Sequence, residues 1–221
     1  MSSLGRWWRR RGGEVHDGKR WVVLDVETSG LDARRARLLA IAAVAVRFDA
    51  GGRPLIELGD SFEAVLQHPD APAEKDNILL HGIGVGAQRR GEAPARALQR
   101  FEDWVAGAPR LAFHAAFDQA MLDRACRDQL GRGCGGPWLD LEPLAAMARP
   151  EVKARSLDEW MAQLGLHCAA RHNAAADTLV TAQLLLRLWP ALAAQIDAVP
   201  EMRWQALEKL AAQARWLSRP A

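Results

Sequence analysis

Asp25 and Glu27 stand two residues apart in Val22-Val23-Leu24-Asp25-Val26-Glu27-Thr28-Ser29-Gly30-Leu31, an apolar run of β character that breaks at a glycine. In a strand such residues share a face, so the two carboxylates project together while Val22, Leu24 and Val26 fall on the other side. Adjacent anions repel. A divalent cation between them removes the conflict, because hard ions such as magnesium take carboxylate oxygens as ligands. An isolated Asp-x-Glu is also an ordinary solvated strand end, so the pair needs support from elsewhere in the chain. Two further acids provide it: Asp118, in the first turn of a helical pattern that places Phe117, Met121, Leu122 and Ala125 on one face, and Asp177, five residues after His172. All four acids sit at element ends beside apolar runs, and we expect them to meet at one edge of a sheet.

The elements that would position them read in order. Leu38 to Val46 is a continuous apolar run suited to a central strand. The turn signal Asp49-Ala50-Gly51-Gly52 then leads to a returning strand over 55–66, so three antiparallel strands open the fold. Residues 67–93 read as an irregular loop with short helical turns; Gly82-Ile83-Gly84-Val85-Gly86 within it lacks the sixth-position glycine and the βαβ setting of a dinucleotide fingerprint. Leu98, Phe101, Trp104 and Val105 mark a helix ending near Gly107, and Leu111-Ala112-Phe113 is a short buried strand. After the Asp118 helix come a loop over 131–137, a strand at 138–141, a helix over 143–147 and a stop at Pro150. Ser156-Leu157-Asp158-Glu159 has the form of a capping box that opens a helix running to about Gly165. From His172 a long helix carries the stripe Val180, Leu184, Leu185 and Leu188 and is expected to end at Pro190. One or two more helices, with Ile196, Trp204, Leu207, Leu210 and Trp216, fill 191–221.

Composition sets the class. The 221 residues suit one domain, with a flexible basic arm over 1–20, a body over 21–190 and a helical extension over 191–221 packed on it. The arm holds six Lys/Arg against Glu14 and Asp17, a net of +4, so the formal +2 of the whole chain leaves −2 on residues 21–221. Attraction to polyanions therefore falls to the arm, where Trp7-Trp8 could stack on bases, and to local patches such as Arg34, Arg35 and Arg37. No apolar run reaches the roughly 20 residues of a membrane span, and no secretory leader is expected, so the reading is a cytoplasmic protein with no membrane partner. Cys126, Cys134 and Cys168 are odd in number and form no Cys-x-x-Cys pair; all three are expected to be reduced and structural.

Three motifs in order carry a resemblance to a known family: Leu24-Asp25-Val26-Glu27-Thr28-Ser29-Gly30-Leu31-Asp32, Phe113-His114-Ala115-Ala116-Phe117-Asp118 and His172-Asn173-Ala174-Ala175-Ala176-Asp177. The set resembles the DEDDh 3′→5′ exonucleases, the group that includes the epsilon proofreading subunit of bacterial DNA polymerase III, RNase T and oligoribonuclease. The His-x-x-x-x-Asp spacing marks the histidine branch, and His81-Gly82-Ile83 looks like a tripeptide the family often carries. The chain departs from the pattern at Phe113 and His114, where His-Asn is usual, and at Ala40, where many relatives have Glu. The resemblance implies an α/β fold of the RNase H-like exonuclease type, a mixed five-stranded sheet flanked by helices.

It also implies a mechanism: hydrolysis of phosphodiester bonds from a 3′ end, releasing nucleoside 5′-monophosphates with the help of two divalent cations, Mg²⁺ or Mn²⁺. Asp25 would bridge the ions, Glu27 and Asp177 would complete the site of the attacking water, and Asp118 would support the second ion. His172 would take the proton of the water, a task suited to an imidazole, which titrates near neutrality. Thr28 and Leu31 would contact the terminal nucleotide, although turn formation and core packing are equally good uses for them. The expected substrate is single-stranded or frayed DNA, and a DNA polymerase subunit is a further partner that the resemblance allows. Two other readings stay open: an exoribonuclease of the RNase T or oligoribonuclease type, and an inactive nuclease-fold module that binds nucleic acid through the arm and the C-terminal helices.

Overall fold

The computed structural model describes residues 19–68, 82–196 and 203–217. Residues 1–18 of the arm, with Trp7-Trp8, and His81 lie outside them, whereas Arg20, assigned to the arm, opens the first strand and is buried against Asp60. The chain opens with β1 (Arg20–Thr28), β2 (Leu38–Phe48) and β3 (Pro54–Val65), a meander whose two pairings are both antiparallel. Next come α1 (Val85–Arg90) and α2 (Pro94–Val105), then β4 (Arg110–Ala112), which pairs in parallel with β1. After α3 (Ala115–Leu130), β5 (Trp138–Asp140) pairs in parallel with β4. The sheet is mixed and five-stranded, in the order β3-β2-β1-β4-β5. The remaining helices are α4 (Leu141–Ala148), α5 (Leu157–Leu164), α6 (Ala174–Gln195) and α7 (Arg203–Leu217). No helix among the described residues is long and apolar enough to cross a membrane.

Period-two alternation along β1 divides the core into two layers. Trp21 and Val23 point into a layer built with Val44, Val46 and Phe48 and with side chains of α4 to α7. Val22, Leu24 and Val26 point into the other, against Leu98, Phe101 and Val105 of α2 and Met121 and Leu122 of α3. Both faces of β1 are thus covered, which is why its run is apolar almost throughout. Asp25 and Glu27 continue the Trp21–Val23 row and face the α6 layer.

Strand β4 is short and pairs only with Val22 and Val23. The C-terminal half of β1 therefore keeps a free edge on that side. The chain leaves β4, turns at His114, whose φ of 60° is left-handed, and enters α3 beside that edge. There the backbone N–H of Val26 donates to the Asp118 carboxylate at 3.1 Å, so an acid in the first helical turn takes the place of a missing strand neighbour.

Two expectations fail. Helix α6 runs through Pro190 to Gln195 instead of stopping there. Proline removes one helical donor, but Trp189 and Leu192 on either side are buried, and the Trp189 indole donates to the Gly52 carbonyl at 3.0 Å. Packing holds the helix across the break. Residues 191–195 consequently belong to α6, and Trp204, Leu207 and Leu210 of α7 join the same core layer, with the Trp204 ring 5.0 Å from that of Trp21. The side chain of Trp216 lies outside the described residues. The thiols are the second failure: Cys126 and Cys134 are joined in a disulfide, and Cys168 is the free cysteine. The loop after α3 folds back over the end of that helix and brings the two Cα atoms to 5.9 Å, a juxtaposition that an eight-residue spacing does not advertise.

Candidate active site

Three elements converge at the C-terminal end of β1. Strand β1 supplies Asp25 and Glu27, paired across the ladder with Ala42 and Ala40 of β2, and a register shift follows between Glu27 and Thr28. The small partners leave room for the next element. Helix α6 lies against them, anchored by the buried Thr178 hydroxyl, which donates to the Ala42 carbonyl at 3.1 Å. Its N-cap is Asn173, whose side chain accepts from the Ala176 amide, and one turn later Asp177 is buried.

Single carboxylate oxygens of Asp25, Glu27 and Asp177 all lie within 4.8 Å of one another. Asp118 approaches from the opposite layer and stands outside that set, although its charge and that of Asp25 act on each other. Burial, followed by the charges of Asp118, Glu27 and Asp177, raises Asp25 well above the usual carboxylate range. Glu27 is pushed up to about 7, first by burial and then by Asp177. Asp118 is pushed up to about 8 by burial, with Asp140 and Glu27 adding to it and the Val26 N–H opposing. Each acid resists ionisation mainly because water is excluded and secondarily because its neighbours are anions. A hard divalent cation answers both problems, and an all-oxygen donor set of this kind fits magnesium or manganese. A second group of possible ligand atoms, Glu102 with Cys126 and Cys134, has its two sulfurs committed to each other.

His172 lies at the end of the α5–α6 loop, exposed and with a left-handed φ of 59°. Its backbone N–H donates to Asp177 at 3.1 Å, which fixes the residue beside the cluster and leaves the imidazole in solvent. Thr28 uses its hydroxyl on the Gly30 carbonyl at 2.8 Å, a turn contact. Leu31 is 93% exposed, so core packing is not its use; its apolar side chain stands in solvent three residues past the end of β1. Phe113 and His114 stack with ring centroids 4.7 Å apart. His114 is also held by its Nε2, 3.0 Å from the Arg155 carbonyl, and by its N–H, which donates to Asp140.

The exonuclease family typified by RNase T matches residues 22–185. The chain belongs to the DEDDh 3′→5′ exonuclease family. The exonuclease domain is 33% identical over 178 residues to a DNA polymerase III subunit epsilon-like protein of Rhodobacter capsulatus, covering 79% of this chain and 24% of that one. It is 30% identical over 169 residues to the PolC-type DNA polymerase III of Bacillus subtilis, covering 76% of this chain and 11% of the relative. The chain thus spans a quarter or less of the curated relatives it matches. In fold it resembles the zinc-bound complex of Escherichia coli exonuclease I with single-stranded DNA, at a TM-score of 0.64 and 18% identity, over 80% of this chain and 43% of the other. It also resembles a moderately thermophilic exonuclease I from Methylocaldum szegediense, at 0.63 and 20% identity, over 80% and 43%.

Two side chains of this candidate site escape a motif-based reading. Arg171 bonds both Asp177 and Asp158 of α5, and the Cys168 thiol lies 3.5 Å from Asp177. The only hint in the sequence is a cation next to the His-x-x-x-x-Asp motif, and its partner Asp158 sits inside a capping box that already has a structural explanation.

Proposed function

We propose that this domain is a metal-dependent exonuclease that removes nucleoside 5′-monophosphates from the 3′ end of single-stranded or frayed DNA. The convergence of Asp25, Glu27 and Asp177 oxygens within 4.8 Å, with Asp118 beside them, is the observation that supports it. Asp25, Glu27 and Asp177 would hold one divalent ion, and Asp118 with Asp25 a second. Bound Mg²⁺ or Mn²⁺ would supply an acidified water and positive charge for the oxygens that gain charge in the displacement.

The residues of the chain do the rest. An imidazole nitrogen of His172 takes a proton from the attacking water as oxygen bonds to phosphorus. The bond from phosphorus to the 3′-oxygen breaks, and that oxygen leaves with a proton from solvent. Exposure of His172 lets it pass its proton back to water between turnovers. Leu31 and Thr28, which follow Asp25 and Glu27 in the chain, contact the terminal nucleotide. The DNA preference draws support from the single-stranded DNA complex of exonuclease I and from the polymerase III relatives; a polymerase partner and a cytoplasmic location are part of the same proposal.

The test is a time course on 3′-labelled and 5′-labelled DNA and RNA of one sequence in Mg²⁺, Mn²⁺ or EDTA. A metal-dependent ladder that shortens from the 3′ end, faster on DNA, is expected. Faster loss of RNA would reassign the substrate, and no cleavage of either polymer would point to a binding module.

A further inference from the structure

Arg171 has two anionic partners on two different helices. Its Nε and Nη2 close a fork on the Asp158 carboxylate of α5, the second contact at 3.3 Å, while Nη1 reaches past it to Oδ1 of Asp177 on α6. The burial of the two acids is unequal. Asp177 is 8% exposed at its side chain and Asp158 is 60% exposed. A carboxylate as buried as Asp177, next to Asp25 and Glu27, needs a positive partner, and among the described residues Arg171 is the cation that bonds it.

We propose that Arg171 is an internal counter-cation of the carboxylate site, held on Asp177 in the metal-free protein and displaced onto Asp158 when a divalent ion binds. This inference rests on the metal-site reading above. The guanidinium and the ion compete because both are cations drawn to one carboxylate, and each repels the other at that range. Displacement is local. The fork on Asp158 uses Nε and Nη2, so Nη1 can leave Asp177 without loss of the second bond pair. The rearrangement occurs next to His172, whose own N–H bonds the other oxygen of Asp177, so Arg171 acts as a positioning residue for the proton acceptor through Asp177.

The competition makes predictions of opposite sign for its two halves. Calorimetric titration of the full-length protein with MnCl₂ at pH 7.5 is the readout. Arg171→Gln removes the competitor and one positive charge, and roughly tenfold tighter Mn²⁺ binding is expected. Asp158→Asn removes the place to which the guanidinium retreats, so Arg171 clings to Asp177 and binding weakens by about threefold. A bridge that merely braces the α5–α6 loop would weaken binding in both variants or leave both unchanged, and either result overturns the proposal. Asp158 is exposed, so its variant is expected to fold even where Arg171→Gln does not; unchanged or tighter binding in Asp158→Asn alone is enough to reject the idea. Failure of the wild-type protein and both variants to bind Mn²⁺ would instead overturn the metal-site reading, and this proposal with it.

Discussion

His172, the proposed proton acceptor, takes little from its own surroundings. Its position is set by the main chain, through the left-handed φ of 59° and the N–H bond to Asp177, and its imidazole is exposed. His172→Ala should therefore leave the melting temperature within about 2 °C, a surface change worth no more than about 0.5 kcal/mol. Turnover should fall by about 10² to 10⁴, the usual range for loss of a general base, with KM little changed. Equal rates for the variant and wild type at pH 8 would remove His172 from the mechanism. Asp177 differs in kind, since it is buried and bonded by Arg171, Cys168 and His172 together. Its replacement disturbs both charge balance and the turn into α6, so only the His172 variant separates chemistry from structure cleanly.

At the level of elements, the site depends on how α5 and α6 begin. Helix α5 opens with a complete capping box: the Ser156 hydroxyl accepts from the Glu159 amide at 3.2 Å, and the Glu159 carboxylate accepts from Ser156 N–H at 3.1 Å. The same carboxylate accepts from Arg155 N–H at 2.7 Å, and the Arg155 carbonyl is the partner of His114. Ser156→Ala should cost about 1 kcal/mol, read as a drop of roughly 2–4 °C in the melting temperature. Because Asp158 sits in the same first turn, catalytic rate should fall as well; an unchanged melting temperature would show that the cap is idle. This box was legible in the sequence because Ser-x-x-Glu acts over one turn, and so were β1 and the stripe of α6, where local periodicity coincides with the tertiary environment. The continuation of α6 past Pro190 was not, because the forces that sustain it come from Gly52 and the layer around Trp189, far away in the chain. The Cys126–Cys134 pairing and the Arg171 bridge were hidden for the same reason: each depends on where a loop returns, which spacing alone does not encode.

For the molecule as a whole, the carboxylate site is a load on the fold, and pH reveals it. Glu27 is raised to about 7 and Asp118 to about 8, with Asp25 raised as well; Asp140 and Asp177 add to the negative field, and Arg171 offsets part of it. In the unfolded chain these acids lose their protons near pH 4. Between that value and about pH 8 the folded, metal-free protein therefore holds more protons than the unfolded one, and stability falls as pH rises. The stabilising contribution is complete below about pH 4 and is lost as pH passes through the folded values of Glu27 and Asp118. In EDTA the melting temperature should accordingly drop by at least roughly 3 °C from pH 5.5 to pH 8.5. Mn²⁺ should act in the opposite sense, because it binds the ionised carboxylates: the rise in melting temperature it causes should be small at pH 5.5 and large at pH 8.5. Glu27→Gln should flatten the EDTA profile and shrink the Mn²⁺ effect together, since one carboxylate is the source of both. Scanning fluorimetry across that range checks all three, and an EDTA profile that is flat or climbs with pH would mean that the acids are not strained in the folded state.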